Sequence, residues 1–224
     1  MSIQENLQTI KDNIKKACLD SGRDEKDVTI LAVTKTRSAI EINEAINAGI
    51  TDIGENRVQE LLSKYDDVQK GVRWHIIGHL QTNKVKYIAD KVSMIHSVDS
   101  LKPALEINQR CEKLSKVMDI LIEINSGEEN KNGIPPEDAD ALIREISTLK
   151  NVRIKGLMTM APLGADDETL EKVFSSLKKL SVDIEAKKYD NVDMSVLSMG
   201  MSGDYIEAVK CGSTLIRPGR SLFC

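Results

Sequence analysis

The sequence predicts an α/β fold, a single (β/α)8 TIM-type barrel with an extra N-terminal helix. About eight short apolar runs rich in β-branched residues recur along the chain, each but the last followed by a segment of helical periodicity, which is the arithmetic of a closed barrel. The length of 224 residues suits one such barrel, so 1–224 reads as a single domain with 1–22 as its leading helix. An open doubly wound sheet is the runner-up. It is disfavoured because no G-x-G-x-x-G turn follows the first strand and no long linker divides the chain.

The elements follow in order. Ile3, Leu7, Ile10, Ile14 and Ala17 recur at helical spacing, and Ser21-Gly22 stops that helix. Residues 28–33 form a nearly continuous apolar run, as in a parallel strand covered on both faces, with Lys35 just beyond its end. A helix over 38–47, a strand over 52–54, a helix over about 57–65 and a strand over 74–78 come next. Residues 84–89 predict a short helix, 92–97 a strand, 101–111 a helix and 118–125 a strand. Residues 137–149 read as an amphipathic helix, 152–158 as a strand, and 167–187 as a long helix turning Val173, Leu177 and Leu180 inward. A strand over 194–197, a helix over 205–210 and a strand over 214–216 complete the series.

Composition excludes several classes of function. With 31 basic against 35 acidic residues and a net charge of −4, nothing electrostatic points to nucleic acid or an anionic membrane surface. One Trp, two Phe and four Tyr make a poor platform for stacking bases. The four cysteines are scattered without a CxxC pair, so no zinc or other metal site is expected and reduced thiols place the protein in the cytoplasm. Residues 1–19 are interrupted by charge and lack a signal-peptide core, and no uncharged apolar run is long enough to span a membrane. The helices carry no long exposed apolar stripe, so a monomer is expected.

In a barrel of this kind the working groups lie at the C-terminal ends of strands. That filter selects Thr34-Lys35-Thr36, Gly54-Glu55-Asn56-Arg57, Gly78-His79-Leu80-Gln81, Asn125, Met158-Thr159-Met160, 198–202 and Arg217-Pro218-Gly219. Lys35 has two readings. Desolvated against its strand, it would present a neutral amine able to attack an aldehyde. As a rim lysine it would snorkel and pair with a carboxylate such as Glu55, the slightly favoured reading on the residues alone. Ser198-Met199-Gly200-Met201-Ser202-Gly203-Asp204 offers hydroxyls, glycines and the start of a helix, which suits a phosphate cradle; the plainer reading has Ser202 capping that helix. Gly219 adds a second backbone that a ligand can approach closely. Arg217 faces either a ligand in the barrel mouth or a rim salt bridge. Asn56 and Arg57 are hydrogen-bonding candidates in the mouth, or a routine helix start. His75 and His79 flank Gly78 without a third ligand, and a histidine on an apolar strand is more often a satisfied core group.

Together, Ala32-Val33-Thr34-Lys35-Thr36, Gly54-Glu55-Asn56-Arg57-Val58-Gln59-Glu60, the run 74–84 (WHIIGHLQTNK) and Ser198-Met199-Gly200-Met201-Ser202-Gly203-Asp204 resemble the pyridoxal phosphate homeostasis protein family over essentially the whole chain. The resemblance implies a barrel similar to the N-terminal domain of alanine racemase, with pyridoxal 5′-phosphate held as a Schiff base on Lys35. It places Ser202 and Gly219 at the phosphate and Arg217 at the pyridine nitrogen, where an arginine keeps that nitrogen unprotonated and weakens the electron sink. The implied role is a non-catalytic carrier or regulator in vitamin B6 homeostasis, whose partners are the cofactor and apo-enzymes that depend on it. The alternative is a PLP-dependent amino-acid racemase. Two-base racemisation needs a group on each face of the substrate, and Lys35 supplies one. The racemases the family resembles take the other from a tyrosine in an appended domain, which a chain ending at Cys224 is expected to lack; Tyr65, Tyr87, Tyr189 and Tyr205 all fall in or next to expected helices. Two residues depart from the family pattern: Arg220 where a small hydroxyl residue is frequent, and Cys224 in place of a usual glycine.

Overall fold

In the computed structural model, which describes residues 1–128 and 132–224, eight strands close into a barrel in chain order. They are β1 (Thr29–Val33), β2 (Asp52–Glu55), β3 (Arg73–Ile76), β4 (Met94–Val98), β5 (Met118–Glu123), β6 (Val152–Met158), β7 (Val192–Met201) and β8 (Leu215–Arg217). Every neighbouring pair is parallel, and β8 closes on β1 with Leu215 opposite Thr29 and Ile216 opposite Ile30. The helices are α1 (Ile3–Asp20), α2 (Ala39–Asn47), α3 (Val58–Lys64), α4 (Leu101–Lys113), α5 (Ala139–Ile146), α6 (Asp167–Glu185), α7 (Tyr205–Lys210) and α8 (Arg220–Phe223). The expected barrel with a leading helix is the observed fold.

Strand alternation divides the core. Leu31, Val33, Ile77 and Leu215 cluster apart from the larger layer that holds Ala32, Ile53, Trp74, Ile76 and Ile216. Successive side chains of a strand point to opposite faces, so the first group fills the lumen and the second packs beneath the helices. Gly54 faces the lumen, where a Cβ would stand 2.4 Å from Leu31 Cδ2 and 3.2 Å from Ile77, so a larger residue there would force Leu31 to shift.

Local chemistry sets the helix starts. Ser2 with Glu5 and Ser38 with Glu41 form capping boxes, and Asp166 accepts from the Thr169 N–H. The five apolar residues expected on the face of α1 are all buried. Asn6 Nδ2 on α1 donates to the Leu222 and Cys224 carbonyls, and Arg23, just beyond the helix, donates to those of Val209 and Ser213, so the leading segment holds the last segments of the chain in place.

Five expectations are corrected. Residues 84–89 do not form an α-helix; a 3-10 helix over Thr82–Tyr87 stands there, with i→i+3 bonds such as Lys84 N–H to Gln81 O. The helix over 137–149 divides into a 3-10 turn at Pro136–Asp138 and the shorter α5. On α6, Leu177 is buried, but Val173 and Leu180 are only half-buried and Leu170, Phe174 and Ile184 form the inward stripe. Strand β7 runs on to Met201, absorbing residues expected as loop, because its lumen-facing Ser198 is buried and pairs with Leu215 of β8. The last strand is followed by α8, which pattern reasoning missed because four residues show no periodicity. No helix among the described residues is long and apolar enough to cross a membrane.

Candidate functional site

The C-terminal ends of the strands surround a cavity of about 610 Å³, a size suited to a small ligand or cofactor. Lys35, Asn56, Ser202, Arg217 and Gly219 all line it, with Arg220 at its exposed edge. The loop Met160 to Ala165 forms the opposite wall.

Lys35 is exposed to this cavity rather than desolvated, which corrects the expectation drawn from its apolar strand. It does not pair with Glu55 either, and makes no hydrogen bond or ion pair with a described residue. Glu55 instead meets Lys64: Lys64 Nζ lies 2.8 Å from Glu55 Oε1 and donates to the carbonyls of Thr34 and Arg37, each at 3.0 Å. Thr34 Oγ1 donates to the same carboxylate at 2.7 Å, and Glu60 accepts from Lys64 and from the Thr36 N–H. Thr36 sits at φ 64°, a left-handed turn uncommon for a β-branched residue. The turn that carries Lys35 is therefore clamped from behind on both sides. Burial pushes the Glu55 carboxyl up, against the pull of Lys64 and Thr34, and its Oε2 is buried without a partner.

Ser202 does not cap α7, whose N-cap position is Asp204. Its hydroxyl accepts from the Gly219 N–H at 3.0 Å and the Ser221 N–H at 3.1 Å. Ser221 Oγ is buried beside them with no partner. Sequence reasoning missed Ser221, which follows Arg220 in a short segment read only as chain end. Arg220 itself points to the exposed rim, and Cys224 is exposed, its sulfur accepting from Arg37 Nη2 at 3.1 Å.

Arg217 is buried, donating from Nη1 to Ser198 Oγ at 2.6 Å and from Nη2 to Thr159 O at 2.7 Å. It forms no rim salt bridge. Burial lowers its pKa to about 10, so it stays cationic at neutral pH. Asn56 is held where the chain passes Gly78: a Cβ there would lie 2.6 Å from Asn56 O, so Gly78 is the residue that lets the two backbones meet. Arg57 is exposed, outside the cavity lining, and His79 is exposed as well. Asn125 closes a local turn through the Gly127 N–H at 2.7 Å and does not line the cavity.

Two buried groups were not selected from sequence. Glu123 ends β5 with Oε2 unpartnered; burial, reinforced by Asp99 and opposed by Arg217, pushes its carboxyl up to about 7. His96 lies in β4 against His75 and Ser198. A polar residue inside an apolar strand run, as in Ile120-Leu121-Ile122-Glu123-Ile124 or Ile95-His96, was the available signal. Among the described residues no cluster of three His, Cys, Asp or Glu is placed to hold a metal.

The chain matches the family described as alanine racemase, N-terminal domain, over residues 5–224. It is 41% identical over 225 residues to the pyridoxal phosphate homeostasis protein of Aquifex aeolicus, covering 100% of this chain and 98% of that protein. Among solved structures, PipY of Synechococcus elongatus with PLP bound superposes with a TM-score of 0.88 at 30% identity, covering all of both chains. An alanine racemase of Clostridium difficile shares the fold at a TM-score of 0.77 and 19% identity, covering 99% of this chain and 56% of that one. With its barrel topology and its full-length match to such relatives, this chain belongs to the alanine racemase N-terminal domain family and, within it, to the pyridoxal phosphate homeostasis proteins.

Proposed function

We propose that this protein binds pyridoxal 5′-phosphate reversibly through Lys35 and acts in vitamin B6 homeostasis as a carrier or regulator without catalytic turnover. One observation carries the reading. A lysine amine with no hydrogen-bond or ion-pair partner among the described residues lines the same cavity as a buried cationic guanidinium and Gly219, whose N–H shares the Ser202 hydroxyl with that of the neighbouring Ser221. These residues fit the cofactor. Lys35 condenses with an aldehyde carbon, its nitrogen replacing the carbonyl oxygen, which leaves as water. Ser202, Gly219 and Ser221 offer hydroxyl and N–H donors to phosphate oxygens, and the orphaned Ser221 Oγ gains a partner there. Arg217 meets the pyridine nitrogen as a hydrogen-bond donor; with its pKa near 10 it does not protonate that nitrogen at neutral pH. Asn56 donates or accepts at the ring's edge. When bound, the cofactor supplies an electrophilic aldehyde and a ring whose power as an electron sink depends on protonation of its nitrogen.

The carrier reading is preferred over a racemase because no tyrosine is among the described residues that line the cavity. Tyr65 packs on Trp74, the Tyr189 hydroxyl donates to Asp140, Tyr205 accepts from Asn13, and Tyr87 stands on the outer 3-10 helix. Relatives named for pyridoxal phosphate homeostasis, and one solved with PLP bound, support the same ligand and role. On this reading the protein works in the cytoplasm as a monomer, a single domain over 1–224 whose one large core runs from Ile3 to Leu222, and passes the cofactor to apo-enzymes.

The test compares visible absorbance of wild type and Lys35→Ala after addition of pyridoxal 5′-phosphate, then borohydride reduction and peptide mapping. The new band is expected in wild type alone, with reduction marking Lys35. An assay with amino-acid enantiomers then separates the roles, since a carrier interconverts none. A band of equal strength in Lys35→Ala removes Lys35 from the site.

A further inference from the structure

A line of buried polar groups crosses the barrel interior from its floor to the cavity. At the floor, where β2 and β3 begin, Asp52 accepts from Arg73 Nε and Nη2, each at 2.7 Å, and from Thr51 Oγ1 at 2.7 Å. His75 Nε2 lies 3.0 Å from Asp52 Oδ1, and His75 Nδ1 lies 2.9 Å from His96 Nε2. His96 Nδ1 lies 2.9 Å from Ser198 Oγ, which accepts from Arg217 Nη1 at 2.6 Å. Asp52, His75, His96, Ser198 and Arg217 are each less than 5% exposed. Leu31, Val33, Ile77 and Leu215 cluster in the same lumen, and replacing buried charged pairs by apolar side chains is often neutral or stabilising, so a line of this kind is weak support for stability. Its presence calls for a use other than stability.

The direction of the hydrogen bonds follows from the two ends. Arg217 can only donate. Burial alone would raise the Asp52 carboxyl, but His75, Arg73 and Thr51 hold it well below the usual range, so it is ionised and can only accept. His75 therefore carries its hydrogen on Nε2. Burial, with the cationic Arg217 nearby, keeps the His96 pKa well below the ordinary value, so His96 is neutral with one N–H. If His75 is also neutral, its Nδ1 accepts from His96 Nε2–H, and His96 Nδ1 accepts from the Ser198 hydroxyl, which accepts from Arg217. Each contact then holds one hydrogen, and all point from Arg217 towards Asp52. If His75 were cationic, His75 and His96 would both donate towards the mouth. Ser198 would accept twice, and its own hydrogen would have no acceptor in the line.

We propose that His75 and His96, as neutral Nε2–H imidazoles, are positioning residues that fix Ser198 as the acceptor of Arg217 and so aim the guanidinium into the cavity. Two of its five N–H groups are spent on Ser198 and Thr159, leaving three for a ligand. That the ligand is the ring nitrogen of pyridoxal phosphate rests on the reading above; the direction of the line does not.

The direction is tested in the full-length protein without cofactor, by 15N NMR of labelled histidine, with the signals of the exposed His79 identified by their loss in His79→Gln. His75 and His96 are expected with hydrogen on Nε2 and bare Nδ1; a protonated Nδ1 on His96 overturns the proposal. Positioning is read from the Arg217 side-chain 15Nε–1H signal, assigned by its loss in Arg217→Lys. Asp52→Asn, at the far end of the line, is expected to shift that signal and speed its solvent exchange roughly tenfold. An unchanged signal overturns the proposal. In loaded protein, Asp52→Asn and Ser198→Ala are each expected to speed cofactor release roughly tenfold, and the double variant no more than Ser198→Ala alone, because both act through Arg217. Additive effects mean separate structural roles and also overturn it. Wild type that takes up no cofactor refutes the proposed function, while the two cofactor-free signals still decide the line.

Discussion

Lys64 Nζ stands 2.8 Å from Glu55 Oε1 and holds the carbonyls of Thr34 and Arg37, so one ammonium group fixes both sides of the turn that carries Lys35. The pair is almost wholly buried, with side-chain exposures of 10% and 0%. Removing the lysine alone leaves the buried Glu55 carboxyl without its counter-ion, with Thr34 Oγ1 still donating to it. Lys64→Met is expected to cost about 3–5 kcal/mol, and Glu55→Gln combined with Lys64→Met to recover most of it, as read by urea unfolding. A double variant as unstable as Lys64→Met would mean that the two carbonyl contacts, not the ion pair, hold the turn.

Ser202→Ala leaves the Gly219 and Ser221 N–H groups without their shared acceptor. The expected loss without ligand is about 1 kcal/mol, because both N–H groups are only half-buried beside the cavity and water can take the place of the lost acceptor. A phosphate oxygen supplies the missing acceptor, so inorganic phosphate should raise the Tm of Ser202→Ala more than that of wild type. Equal shifts would place phosphate elsewhere.

Gly78→Ala forces a Cβ to within 2.6 Å of the Asn56 carbonyl oxygen. Backbone must move, and about 1–3 kcal/mol of destabilisation is expected from overpacking. Because Asn56 lines the cavity, cofactor affinity should fall further than it does in Asn56→Ala. A fully stable Gly78→Ala protein with unchanged affinity would show that the loop yields freely.

The parts legible in the sequence were those with a positional rule behind them. Lys35, Arg217 and Gly219 follow apolar runs directly, and barrel geometry sends the ends of strands to one mouth. What stayed hidden depends on contacts between distant segments. Lys64 falls on the inward face of α3, three residues after Leu61 and six after Val58, but helical spacing names no partner for it, and only the fold brings it under Thr34. Glu123 and His96 lie inside strands whose apolar neighbours dominate any pattern, and their lumen-facing direction appears only once the barrel closes. Desolvation at Lys35 failed as an inference for the same reason, because abutting a buried strand says nothing about which way a long side chain turns.

Glu123 gives the sharpest pH dependence. Its carboxyl is raised from 4.5 to about 7, chiefly by burial and then by Asp99, with Arg217 pulling the other way. A group whose folded-state pKa is raised binds its proton more tightly when folded, so its contribution to stability is complete below pH 4.5 and is lost as pH rises through about 7. Glu123→Gln keeps the neutral form at every pH. The variant should match wild type near pH 4.5 and exceed it above pH 8, by up to about 3 kcal/mol if the whole shift acts on folding. Urea unfolding at the two pH values measures the difference. A gap that does not change with pH would mean that Glu123 stays ionised in the folded protein, with Arg217 outweighing burial.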